Sequence, residues 1–179
     1  MAILKTFVSD LNRLSRFQFA FKYIFPLFAL FMTWGALANL YTLNLSQKNL
    51  IGNEGEVMGI NKQLELGTSQ YGHKEYYPMI IALGNSSKEF RVRDNFKDWF
   101  AYLQERIQYG DTITVYTRSR LDALVTWGKN GDVYEIDKNG AILFPLSTVK
   151  AYNKNQALIL GLFASILWSL YIVYKLKRR

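Results

Sequence analysis

The sequence predicts a membrane protein in which two transmembrane α-helices flank one small α+β domain. That domain is expected to be an antiparallel sheet, able to curl towards a barrel, with one packed helix. Three observations predict it. Residues 23–47 form a run of 25 uncharged positions, residues 155–174 form a second of 20, and the stretch between them reads as short strands punctuated by turn residues. A bilayer core about 30 Å thick needs roughly 20 apolar residues of helix, so each run is long enough to span.

The expected organisation is an amphipathic cytoplasmic lead-in over 1–22, a first span over 23–43 and the domain over 44–154. A second span over 155–174 and a basic tail over 175–179 complete it. In the lead-in, Leu4, Phe7, Val8, Leu11, Leu14, Phe17 and Phe21 fall at helical spacing among Asp10, Arg13 and Arg16, as in a helix lying in the membrane interface. Ala36-Leu37-Ala38 has the small-x-small form of a signal-peptidase site. The long n-region and the apolar residues that continue through Leu43 favour an uncleaved anchor. In the second span Gly161, Ser165 and Ser169 recur every four residues, a small-residue stripe that suits helix packing against the first span or another subunit.

Charge sets the expected orientation. The net charge of +8 divides into +3 over residues 1–22, +4 over 175–179 and +1 over everything between. Positive flanks favour the cytoplasmic side, so both termini are expected in the cytoplasm of a bacterial inner membrane and the domain outside it. The domain itself is nearly neutral, which argues against nucleic acid as a partner. The expected partners are the lipid bilayer and a membrane protein or a second copy of the chain.

Within the domain, residues 56–60, 63–66, 76–83 and 88–93 read as strands. Gly67 to Lys74, containing the only histidine, His73, reads as a flexible connection. A helix is expected over 95–108, capped by Asp94 and ended by Gly110. Phe96, Trp99, Phe100, Leu103 and Ile107 form its core stripe. Residues 111–117 give the clearest strand. The two Asn-Gly pairs at 130–131 and 139–140 predict a three-stranded meander over 122–144.

Catalytic templates run short of parts. There is no cysteine, one histidine and no phosphate-binding glycine loop, so no catalytic residue, metal ligand or cofactor is assigned. Asp132, Glu135 and Asp137 lack the spacing of a calcium loop. They read as a solvated strand face. The expected function is therefore non-enzymatic: a membrane-anchored accessory or scaffold protein that presents a binding domain to a membrane assembly, with exposed sheet edges for strand addition. The alternative is a sensor or enzyme with an anion-binding pocket at Arg91, Arg93, Tyr76 and Tyr77. It rests on two arginines at one strand face, which can clamp an anion.

Gly55-Glu56-Val57, Tyr76-Tyr77-Pro78-Met79-Ile80 and Gly110-Asp111-Thr112-Ile113-Thr114-Val115-Tyr116, placed between two spans, carry a likeness over roughly residues 30–175. In these features the chain resembles an uncharacterised, mainly bacterial family of small membrane proteins in which two transmembrane helices flank a β-rich domain. The resemblance implies that architecture and no established activity.

Overall fold

The structure is a computed structural model that describes residues 16–69 and 72–177, with side chains over 18–66 and 75–177. The lead-in expected over 1–22 lies almost wholly outside these residues. The chain divides into two compact units, residues 42–152 and the terminal segments 1–41 with 153–179.

In the terminal unit, a π-helical turn over Ala20–Ile24 runs into helix α1, Phe25–Leu43. The widened turn ends where Pro26 removes a backbone donor. The long C-terminal helix spans Leu146–Leu176 (α4 below). It starts nine residues before the predicted span, because the continuous helical register carries on through Tyr152. Both helices are long and apolar enough to cross a membrane. The Trp168 indole donates to Thr33 Oγ1 at 3.1 Å, and the Phe21 and Tyr174 rings lie 5.1 Å apart. The predicted stripe does not pack against the first helix within the chain. Ser165 and Ser169 are exposed and their hydroxyls donate back to the carbonyls of Gly161 and Ser165, and a Cβ on Gly161 would meet nothing within 4 Å. Among the described residues of these helices the buried alanines are instead Ala29, Ala36, Ala157 and Ala164.

The domain is an antiparallel six-stranded sheet ordered β5-β4-β1-β6-β7-β8. Its strands are β1 (Ile51–Lys62), β4 (Met79–Leu83), β5 (Glu89–Val92), β6 (Thr112–Thr117), β7 (Val133–Lys138) and β8 (Ala141–Phe144). A separate hairpin pairs β2 (Glu65–Ser69) with β3 (Gly72–Tyr76), where a flexible connection was expected. Strand β1 holds the sheet together. Its first half pairs with β6 (Ile51 opposite Thr117, Glu56 opposite Thr112), its second with β4 (Lys62 opposite Met79), and a bulge at Met58 bends it between the two. The sheet curls until Arg91 of β5 forms a parallel bridge with Asp132, and its amide donates to the Gly131 carbonyl at 2.8 Å.

Alternation explains the core. Phe90 and Val92 of β5, and Ile113, Val115 and Thr117 of β6, point inward. The predicted helix forms as a 3₁₀ stretch, Asp94–Trp99, leading into α2, Phe100–Arg106. Its stripe is buried at Phe96, Phe100, Leu103 and Ile107, and the Phe96 and Trp99 rings meet Phe144 edge-on at 5.4 and 5.5 Å. Each such aromatic contributes about 1.5–3 kcal/mol by burial. Arg93, not Asp94, occupies the N-cap position, without a side-chain cap.

The predicted meander is a two-stranded hairpin. Asn139 and Gly140 both take positive φ, 55° and 81°, as the tight turn between β7 and β8 requires. Residues Arg120–Val125 form a second short helix, α3, where a strand was expected. The Ser119 side chain caps it by accepting from the Asp122 amide, and Leu-Asp-Ala-Leu suits a helix better than a strand. The domain therefore carries a short helix, α3, that was not expected beside the predicted one.

Candidate anion-binding pocket

The closure of β5 onto residues 131–132 gathers charge at one place. Strand alternation turns Phe90 and Val92 inward, so Arg91 faces away from the core and towards the hairpin. Its Nη1 donates to both Glu65 oxygens at 3.1 and 3.0 Å, and its Nε donates to Asp132 Oδ1 at 2.9 Å. Asp132 is only 3 % exposed, and its other oxygen accepts from the Lys129 amide at 3.1 Å. Lys129 Nζ in turn reaches Glu65 at 2.6 Å. Burial pushes the Glu65 carboxyl up, but the hydrogen bonds from Lys129 and Arg91 outweigh it and hold the group below its ordinary value of 4.5.

This ties the β2–β3 hairpin to the sheet in a pH-dependent way. A carboxyl whose value is lower folded than unfolded stabilises fully above about 4.5, and that contribution is lost as pH falls through the lower folded value. Hydrogen-exchange protection of residues 65–69 and 72–76 is therefore expected to fall on acidification below that point. In a Glu65→Gln variant it should be low already at neutral pH.

Beside this network sits Arg93. Its guanidinium lies 5.2 Å from the Phe96 ring centre, 5.9 Å from Tyr152 and 6.0 Å from Tyr134. Its Nε and Nη2 are buried without a hydrogen-bond partner, and no carboxylate pairs with it among the described residues. Tyr134 receives a second guanidinium, that of Arg118, at 4.7 Å. Burial raises the Tyr134 phenol, and the two arginines oppose that rise. Asn95 is fixed by donating to the Tyr152 hydroxyl at 2.7 Å.

These groups line a concave pocket of about 230 Å³, formed by Arg91, Arg93, Tyr76, Glu65, Lys129, Asp94, Asn95 and Pro78. Three of the four residues expected at an anion site therefore converge. Tyr77 does not: its hydroxyl donates to Glu75 at 2.5 Å, because neighbouring residues of an extended chain diverge. Arg91 and Lys129 are committed to Glu65 and Asp132, so among the described residues lining the pocket Arg93 is the cation with donor capacity to spare. Lys129, Glu65 and Asn95 were missed by the sequence reading. Only the pairing of β5 with residue 132 brings the first of them close, and no local pattern encodes that.

The acidic group on β7 is not the solvated face expected. Glu135 is 6 % exposed and accepts from Gln47 Nε2 at 2.7 Å and from the Leu146 amide at 3.2 Å, because the start of α4 covers it. Asp132 serves Arg91, and Asp137 accepts from the Gly140 amide. Among the described residues no three acidic or histidine side chains cluster as metal ligands would.

Comparison with protein-family models, with curated proteins and with solved structures returns no match.

Proposed function

We propose that this chain is a non-enzymatic, membrane-anchored accessory protein whose β domain presents a pocket for an anionic group, a carboxylate or phosphate, to a membrane assembly. The observation that carries the reading is Arg93: a guanidinium on the pocket wall with buried Nε and Nη2 donors that no group among the described residues accepts. A buried donor without an acceptor costs free energy that a bound oxyanion would recover. The aromatic surround holds the planar group in place, and Tyr76 and Asn95 offer neutral polar contacts beside it. The remaining carboxylates, Glu65 and Asp94, bias the site towards a ligand that also carries donors.

Support for the membrane part of the reading is compositional. Leu27, Phe28, Phe31 and Trp34 on α1, and Leu158, Leu162, Phe163 and Ile166 on α4, are exposed, a surface that suits lipid. The basic tails favour both termini in the cytoplasm of a bacterial inner membrane and the domain on the outer side. The architecture also fits the family likeness drawn from the sequence. Strand addition is the weaker route to a partner, since the β5 edge already donates to Gly131.

The test is calorimetry on the full chain in mild detergent, titrated with acetate, citrate and inorganic phosphate. At least one of these is expected to bind, and Arg93→Gln, which keeps the polar shape but not the charge, should weaken it at least tenfold, about 1.4 kcal/mol. Binding unaffected by Arg93→Gln, or no binding of any anion, would overturn the assignment.

A further inference from the structure

Helix α3 carries a feature that the pocket does not use. Leu121 and Leu124 are 75 % and 73 % exposed, and Val125 and Trp127 are also open to solvent. The segment starts with Arg120, also exposed, on the same short helix. The helix ends in a left-handed cap. Gly128 N donates to the Ala123 carbonyl at 2.8 Å and Trp127 N to the Leu124 carbonyl at 3.3 Å, with Trp127 at φ 56° in the position where glycine is usual. A bulky residue there is strained, and glycine would relieve it. The strain has the effect of setting a tryptophan beside two exposed leucines.

The fold also fixes where this patch lies within the domain. Residue 42 begins the domain, directly after Tyr41 of the apolar run. Arg118, two residues before α3, donates from Nη2 to Thr42 Oγ1. Thr117 pairs with Ile51 at the start of β1. The segment 118–128 thus leaves the sheet at the end of the domain where residue 42 enters it. A Leu-Leu-Val-Trp surface with an arginine beside it has the composition of a membrane-interface element, and tryptophan favours the headgroup level.

We infer that α3 and Trp127 form a lipid-contacting foot, inserted at the interface of the same bilayer that the two helices cross. This rests on reading those helices as spans. The occupant is lipid: Arg118, two residues before α3, is bonded to Thr42, the residue that follows the apolar run in the chain, so the patch lies at the end of the domain where the chain enters from that run. The foot would fix the domain's tilt and hence the direction in which the pocket opens.

The absence of cysteine permits a clean test on the full chain in phosphatidylcholine nanodiscs. Single variants Leu121→Cys, Leu124→Cys, Tyr109→Cys and Leu162→Cys are each spin-labelled, and collision with oxygen is compared with collision with a water-soluble nickel chelate. Tyr109, exposed three residues before the other end of β6, is the water control; β6 itself rises about 17 Å from Thr112 to Thr117. Leu162, exposed in the middle of α4, is the lipid control.

Labels at 121 and 124 are expected to show an oxygen-to-chelate ratio several-fold above that at 109 and to approach that at 162. A water-like ratio at 121 and 124 with a lipid-like one at 162 would overturn the foot and leave the membrane reading standing. Shielding from both reagents at 121 and 124 would overturn it in favour of a protein partner. A water-like ratio at 162 would overturn the membrane reading and the foot together.

Discussion

Replacing Arg91 by alanine is expected to destabilise the β domain by about 3–5 kcal/mol, the cost of leaving a buried charge without its partner. Asp132, 3 % exposed, would keep one amide donor and lose the guanidinium that neutralises it. Glu65 would lose its bidentate contact at the same time and keep only the exposed Lys129. Thermal melts of the full chain in detergent, followed by near-ultraviolet circular dichroism, read the loss. The companion variant separates charge from packing. Arg91→Met combined with Asp132→Leu removes both charges and is expected to recover most of the stability, since an apolar pair of similar volume replaces a buried ion pair at little cost. The double variant would still release the β2–β3 hairpin, which hydrogen exchange over 65–69 and 72–76 would show.

Gly131→Ala tests the closure of the sheet from the backbone side. Gly131 sits at φ 103°, and a Cβ there would lie 2.5 Å from the Glu89 carbonyl oxygen. Neither partner is a flexible side-chain end, so backbone must move. The left-handed conformation costs an L-residue about 1–2 kcal/mol and forced repacking about 1–3 more. A loss of roughly 2–5 kcal/mol is therefore expected by the same melts. The movement would lengthen the Arg91 amide to Gly131 carbonyl bond, so anion binding at Arg93, on the adjoining segment, should weaken together with stability. Gly140→Ala is the matched control. It has a positive φ of 81° but nothing within 4 Å of a Cβ, and should cost only the conformational part.

The two variants probe a contact that no local pattern announces. Period-two alternation made β5 and β6 legible, because Phe90, Val92, Ile113 and Val115 alternate with polar residues. The helical stripe from Phe96 to Ile107 was legible for the same reason at period 3.6. Asn139-Gly140 announced its turn through the positive φ it requires. Arg120 to Val125 misled, since a short apolar run beside an Asn-Gly pair reads as strand until the Ser119 cap is counted. Gly67 to Lys74 misled in the other direction: glycine and serine suggested a loose connection where backbone pairing forms a hairpin.

By itself, then, the sequence determined the two apolar helices, the nearly neutral β-rich domain between them and the placing of Arg91 and Arg93 on one segment. Those features are local: they follow from composition, period and turn chemistry along a few residues. Only the tertiary structure decided which arginine is spent and which is spare. Arg91 is neutralised by Asp132 and Glu65, 41 and 26 residues away, while Arg93 is left among aromatic rings. Charge pairing across such separations depends on sheet register and curl, which arise from the sum of all the core contacts and are written in no short stretch of the chain.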